Sequence, residues 1–240
     1  MTTNSSIESW FPTLYLLCRP DKEAKRFEFL KDHLPNRGIP DSKIKLVKGI
    51  WGDEISSDMY FKVYDPFFKH LGVEKGLTFK SAGLLKGEVS LVLTFFQAVL
   101  DAVQQKEQEW FLFLESDIFL RNDFVSRLES ILKDDSIKSV DYISLGEGVG
   151  TRPVDFLTSY FGPTKLYDPP TKCVFRCTDS MLLHKRFLEK LKVTLVPFKD
   201  CLDWELNLQL AIHNGKALWA DPPLVEQGSG RARSISTLPS

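Results

Sequence analysis

The sequence predicts an α/β protein with a mixed, mostly parallel β-sheet flanked by helices, in a single domain. Residues 110–114 form a continuous apolar run of strand length, which is typical of strands buried on both faces of a parallel sheet. Segments with strand and helix patterns also alternate along the chain, as α/β folds require. The length of 240 residues and the 43% hydrophobic content suit one large domain.

The N-terminal half is predicted to contain two strands and two helices. In order, they are a strand at 12–18, a helix at 22–34, a strand at 44–48 and a helix at 88–105. Asp21 is the expected N-cap of the first helix, because a carboxylate there can accept a hydrogen bond from the first turn. Both helices carry apolar residues spaced three and four apart. Residues 56–83 are aromatic-rich and show no clear periodicity.

The C-terminal half continues the alternation. Its predicted elements are a strand at 110–114, a helix at 122–132, strands at 142–145 and 173–176, helices at 184–191 and 203–212, and a strand at 217–220. Residues 146–170 are rich in Gly and Pro and are predicted to form a long loop. We expect a domain spanning 1–225 and a mobile tail at 226–240, which is rich in Gly, Ser and Arg.

Charge and cysteine content exclude several functional classes. Lys and Arg number 31 and Asp and Glu 32, so the net charge is −1 and no global field attracts nucleic acid or an anionic membrane. No apolar run approaches the ~18 residues of a membrane span, and the N-terminus lacks a basic leader. Four cysteines are too few for a secreted disulfide framework. We therefore expect a cytoplasmic protein with no nucleic-acid partner and no transmembrane segment.

Glu115 and Asp117 are the central candidates for chemistry. They directly follow the most apolar predicted strand, and ligands of parallel sheets bind outside the carboxyl ends of the strands. Carboxylates placed there lose hydration, and a hard cation such as Mg²⁺ or Mn²⁺ can compensate. In the alternative interpretation, Asp117 begins a turn and Glu115 pairs with a nearby Lys or Arg.

Two segments resemble glycosyltransferase family 25. Residues 87–95 read G-E-V-S-L-V-L-T-F, and residues 111–118 read F-L-F-L-E-S-D-I. The family carries a G-E-I-G-C-x-x-S-H segment, a helix and then an L-E-D-D-A strand end. The chain differs from these motifs at Ser116, where the family has its middle acid, and at Phe95, where it has His.

Further segments are similar to other family motifs in the same order. The start at 14–21 with Arg26 resembles I-N-L-D-R-R-P-x-R, with Cys18 in place of Asn, and residues 48–53 fall at the A-V-D-G turn. Residues 203–205 are similar to the D-x-x-L helix, and residues 223–227 with Ser234 are similar to the P-x-x-x-Q-x-x-x-S tail. The resemblance thus covers most of the chain.

The resemblance implies a GT-A fold and a nucleotide-sugar donor such as a UDP-hexose, with a carbohydrate or glycoconjugate as acceptor. It implies Mn²⁺ or Mg²⁺ held by Asp117, with Glu115 as a second ligand or as a contact to the donor ribose. The predicted donor-binding residues are Cys18, Arg19, Arg26, Trp51, Gly87, Glu88 and Glu115.

For several of these residues an ordinary structural role is the alternative. Arg19 and Arg26 could belong to a solvated helix face, Trp51 to the core, and Glu88 to the first turn of a helix as a dipole partner.

An inverting transfer also needs a general base for the acceptor hydroxyl. Asp203 and Glu205 are the candidates, and Asp203 could instead be a helix N-cap. Two other functions remain open. The replaced acid and His are compatible with a non-catalytic sugar- or protein-binding relative, and the same sheet could serve a sugar-phosphate nucleotidyltransferase, although no glycine-rich phosphate loop is present.

Overall fold

The computed structural model describes residues 7–66, 83–146, 162–169 and 177–228. Its main feature is a seven-stranded sheet with the order β2-β1-β3-β7-β5-β8-β6. The strands are β1 Thr13–Leu17, β2 Ile44–Val47, β3 Trp110–Glu115, β4 Ile118–Leu120, β5 Tyr142–Ser144, β6 Lys165–Tyr167, β7 Ser180–His184, β8 Ala217–Asp221 and β9 Val225–Gln227. Strands β4 and β9 form a separate antiparallel pair.

The sheet is mixed, with most strands pointing the same way. Strands β2, β1 and β3 are adjacent and parallel, and β5 and β8 are parallel to each other. Strand β7 is inserted antiparallel between β3 and β5, so β5 and β8 point in the direction of β3. Strand β6 closes the far edge, antiparallel to β8. The predicted α/β class with a mixed, mostly parallel sheet is confirmed.

Helices cover both faces of the sheet. They are α1 Ala24–Asn36, α2 Ser57–Val63, α3 Lys86–Ala102, α4 Phe124–Leu132, α5 Lys185–Thr194 and α6 Leu202–Ile212. Because successive strand residues point to opposite faces, Phe111 and Phe113 of β3 pack in a core with α3, α5 and α6. Leu112 and Leu114 pack in a second core with α1 and α4. This double burial explains why β3 is continuously apolar.

Several local predictions were wrong. Glu23, not Asp21, is the N-cap of α1, because Asp21 accepts a hydrogen bond from Arg19 instead. Helix α2 lies in the segment without periodicity, and β6 lies in the predicted loop. Strand β7 was not predicted, and the strand predicted at 173–176 lies outside the described residues.

The small β4–β9 sheet was also not predicted, and it bears on the site. It begins directly after Asp117, and the N–H of Gly228 donates to the Asp117 carbonyl over 2.6 Å. The turn that carries the acids is therefore held by chain beyond residue 225, where the tail was predicted to begin. Among the described helices, none has the length and apolar character required to cross a membrane.

Candidate active site

A cavity of about 190 Å³ lies where the carboxyl ends of β2, β1 and β3 meet. The strand ends contribute Lys48, the Cys18–Arg19 pair, and the residues from Glu115 to Asp117. The cavity is closed by the first turns of α3 and by residues that follow β2. Of the predicted donor-binding residues, those lining the cavity are Cys18, Arg19, Arg26, Trp51, Gly87 and Glu115.

Glu88 is the predicted donor residue that does not line this cavity. Its carboxylate accepts a hydrogen bond from the Leu85 N–H over 2.7 Å, which caps the start of α3. A larger groove of about 1180 Å³ lies at the opposite, amino ends of β1 and β3, beside Thr13 and Trp110. We place the candidate site at the smaller cavity, because the predicted residues converge there.

Arg19 and Arg26 are both engaged with carboxylates. Arg19 donates to Asp21, and its two terminal nitrogens contact the two oxygens of Glu54 at 2.7 Å each. Arg26 donates to Glu23 and to the Ser116 hydroxyl, both over 3.1 Å.

The hydrogen bond from Arg26 to Ser116 joins α1 to the turn that carries the acids, so Arg26 is more than part of a solvated helix face. Cys18 is buried beside these groups, and burial together with the charge of Glu23 raises the pKa of its thiol to about 12. The thiol is therefore neutral at physiological pH.

The loop after β2 forms one wall of the cavity and is fixed against α3. Gly49 has a positive φ of 60°, and a Cβ there would lie 1.9 Å from the Thr94 hydroxyl oxygen. The Ser90 hydroxyl donates to the Ile50 carbonyl over 2.5 Å. Trp51 follows in this fixed loop and is half-buried at the cavity.

Glu115 and Asp117 both line the cavity. Asp117 is 7% exposed, and no Lys or Arg of the described residues forms an ion pair with either acid. The Thr178 hydroxyl donates to Glu115 over 2.8 Å. Burial, and then the charge of Asp117, raises the pKa of Glu115 to about 7. The interpretation in which Glu115 pairs with a Lys or Arg is therefore not observed in the part of the chain described.

Asp179 is the site residue that the sequence did not reveal. It precedes β7, and its carbonyl accepts a hydrogen bond from the Glu115 N–H over 2.9 Å. Its side chain is fully buried, and one carboxylate oxygen, Oδ2, has no hydrogen-bond partner among the described residues. Burial and the nearby Glu115 raise the pKa of Asp179 well above its usual value. The side chain lies over Gly146, where a Cβ would be 2.4 Å from both carboxylate oxygens.

Asp203 lies in the first turn of α6 and faces the same acids. Its negative charge contributes to the raised pKa of Glu115 and of Cys177. The N-cap of α6 is Cys201, so the alternative role of Asp203 as N-cap is wrong. One carboxylate oxygen of Asp203, Oδ1, accepts from the Trp204 N–H and from the Cys201 thiol. We call Glu115, Asp117, Asp179 and Asp203 the acid cluster.

Glu205 has a different environment from Asp203. It is fully buried, and one of its oxygens accepts from the Lys199 and Asp200 N–H groups over 2.7 and 3.3 Å. The other oxygen accepts from the Gln209 amide over 2.8 Å. Glu205 thus fixes the loop before α6, and both of its oxygens are occupied by these hydrogen bonds.

A divalent cation at the acid cluster would need further ligands from a bound molecule. Within the described ranges no group of three or more His, Cys, Asp or Glu side chains has the geometry of a complete metal site. Mg²⁺, however, is usually bound by only one or two carboxylates of the protein. A phosphate-bearing ligand and water supply the rest of its coordination shell. The charges of Asp117 and Asp203 act on Glu115, and a positive ligand at this edge would offset the repulsion among these acids.

Comparisons with known proteins add little to this description. No protein-family model matches the chain, and no curated protein does. A crystal structure of a glycosyltransferase involved in the glycosylation of the major capsid of PBCV-1 is similar, with a TM-score of 0.43 and 13% identity over 92% of this chain and 95% of that one. The inositol-1-phosphate CTP transferase from T. maritima has a TM-score of 0.32 and 17% identity, over 60% and 55% of the two chains.

Proposed function

We propose that the protein is a glycosyltransferase of the GT-A type, which moves a sugar from a nucleotide-sugar donor to a hydroxyl of a carbohydrate or glycoconjugate. One observation carries the proposal: the ends of three adjacent parallel strands form a cavity lined both by basic side chains and by two carboxylates, Glu115 and Asp117, that form no ion pair within the described part of the chain. This combination suits a ligand with an anionic diphosphate and a metal ion between the two.

The cavity would hold the nucleotide part of the donor. Arg19 and Arg26 lie at the end of β1, where their guanidinium groups can contact a phosphate or a base. Trp51 offers a half-buried ring for stacking on the base, and Gly87 leaves open space, because nothing lies within 4 Å of a Cβ built there. Donors with a uracil or guanine base are the first candidates to test.

Asp117, with Glu115 as a second ligand or a ribose contact, would hold Mn²⁺ or Mg²⁺. A bound divalent cation would stabilise the negative charge of the leaving diphosphate as a Lewis acid. Both acids are fixed in position, because Thr178 donates to the Glu115 carboxylate and the Gly228 N–H holds the Asp117 carbonyl. This support fixes the Glu115 carboxylate and the backbone of Asp117 without using a basic side chain.

Asp203 is the candidate general base for an inverting transfer. Its carboxylate would take the proton of the acceptor hydroxyl while the hydroxyl oxygen bonds to the sugar's anomeric carbon and the bond from that carbon to the diphosphate breaks. Asp203 keeps one oxygen, Oδ2, outside its described hydrogen bonds, whereas both oxygens of Glu205 are occupied. We therefore assign the role of general base to Asp203. Glu205 is assigned a role in fixing the start of α6.

Calorimetric titration with UDP and GDP, each with and without Mn²⁺, tests the proposal. We expect binding that strengthens with the metal, and Asp117→Asn should weaken the Mn²⁺-dependent binding by at least about tenfold, because a metal ligand is lost. Asp58→Asn is the matched control, since Asp58 is exposed on α2 and pairs with Lys62.

The outcomes separate the candidate functions. Slow hydrolysis of the donor sugar without acceptor, lost in Asp117→Asn, supports a transferase. Tight nucleotide-sugar binding with no hydrolysis or transfer would instead indicate a non-catalytic relative. Wild-type protein that binds neither nucleotide, with or without Mn²⁺, would contradict the proposal.

A further inference from the structure

Lys48 is a basic residue of the cavity, and the sequence analysis predicted no function for it. It directly follows β2, whose last residue, Val47, pairs with Leu17 of β1. Lys48 therefore lies beside Cys18, at the same edge of the sheet as Glu115 and Asp117, and is one of the residues that line the cavity. Within the described part of the chain, no carboxylate or carbonyl accepts a hydrogen bond from its ammonium group.

Among the residues that the structure describes, the cations around Lys48 form ion pairs with carboxylates. Arg19 contacts Asp21 and Glu54, and Arg26 contacts Glu23. On the surface nearby, Lys22 pairs with Asp53 and Lys45 pairs with Asp101. Lys48 thus differs from its neighbours, because its full positive charge remains available to a ligand in the cavity.

Contacts of the next two residues fix the backbone at Lys48, and the Lys48 side chain extends from this fixed backbone. The next residue, Gly49, is in contact with Thr94 of α3 and leaves no space for a Cβ, and Ile50 is held by Ser90. The side chain itself is exposed. A fixed backbone with an exposed ammonium group suits a contact to phosphate oxygens, for which lysine acts as a point charge.

We propose that Lys48 binds the phosphates of the donor's nucleoside diphosphate; this inference rests on the proposed function. A diphosphate bound at the ends of β1 and β3 lies close to Glu115 and Asp117, which repel it. Lys48 faces the cavity from the end of β2 and offsets this repulsion from the protein side. It therefore determines how strongly phosphate-bearing ligands are held compared with the nucleoside alone.

The test compares Lys48→Gln with the wild type in titrations with UDP, UMP and uridine, and with GDP, GMP and guanosine, at fixed Mn²⁺. We expect Lys48→Gln to weaken binding of the diphosphate by roughly tenfold or more, since a charge-assisted hydrogen bond is lost. Binding of the nucleoside should be unchanged, and Lys48→Arg should recover most of the diphosphate affinity. Lys45→Gln is the control, because Lys45 lies three residues earlier and is paired with Asp101.

Each possible result supports or overturns the proposed role of Lys48. A wild type that binds UDP or GDP together with an unchanged Lys48→Gln variant overturns the role of Lys48 and leaves the proposed function standing. Equal weakening of nucleoside and diphosphate overturns the phosphate assignment. Failure of the wild type to bind any nucleotide overturns both proposals. Thermal unfolding of each variant confirms that it is folded, which the exposed position of Lys48 favours.

Discussion

Glu115→Gln should make the protein's stability less dependent on pH. The pKa of Glu115 is about 7 in the folded protein against a usual value of 4.5, because burial and Asp117 disfavour its charged form. Below pH 4.5 Glu115 is protonated in both the folded and unfolded states. Between pH 4.5 and 7 the unfolded state loses this proton first, so the free energy of unfolding falls as the pH rises.

The expected size follows from the two pKa values. Their difference is 2.5, and at about 1.36 kcal/mol per pKa unit the stability lost across this window is about 3 kcal/mol. Glutamine keeps the oxygen that accepts from Thr178 but has no proton to lose. Relative to Glu115→Gln, the wild type should therefore lose about 3 kcal/mol between pH 4.5 and 7 and no more above pH 7.

Urea unfolding, followed by tryptophan fluorescence in the presence of a chelator, measures this difference at pH 4.5, 6, 7 and 8. Groups other than Glu115 titrate in both proteins, so only the difference between the two free energies of unfolding is used. If the free energies of unfolding of the wild type and Glu115→Gln change in parallel with pH across this range, the folded protein does not disfavour the charged form of Glu115, and the reasoning is refuted.

Two further predictions concern His33 and Gly146. The Leu120 N–H donates to the buried His33 ring over 2.8 Å, and burial, followed by the charge of Arg37, lowers the pKa of His33 to about 4. The unfolded state therefore gains a proton first as the pH falls, and the wild type should lose about 3 kcal/mol between pH 6.5 and 4 relative to His33→Gln in urea unfolding. Gly146→Ala should cost ~1–3 kcal/mol, because its Cβ would overlap the Asp179 carboxylate. The same substitution should cost clearly less in an Asp179→Ala background; an equal cost in both, measured by thermal unfolding, would contradict this packing.

The sequence was informative wherever a local pattern has a local cause. The apolar run of β3 reflects burial on both faces, and the three- and four-residue spacing of apolar side chains located α1, α3 and α6. Glu115 and Asp117 lie at and just after the carboxyl end of β3. They became candidates for a site because ligands of parallel sheets bind at the carboxyl ends of the strands.

The sequence could not provide the elements that depend on long-range pairing. Strand β4 has three residues and becomes a strand only by pairing with β9, more than 100 residues later. The roles of Asp21 and Glu205 were likewise decided by partners: a carboxylate can cap a helix, form an ion pair or fix a loop, depending on which donors lie within reach.

Asp179 shows most clearly what the tertiary structure decided. Its sequence neighbours gave no sign of a site, since an acid before a strand usually belongs to a turn. Strand β7 runs antiparallel to β3, which brings the start of β7 to the edge where β3 ends, next to Glu115 and over Gly146. The composition of a strand determines that it is buried, but its direction in the sheet is determined by its neighbours, and that direction places Asp179 among the acids.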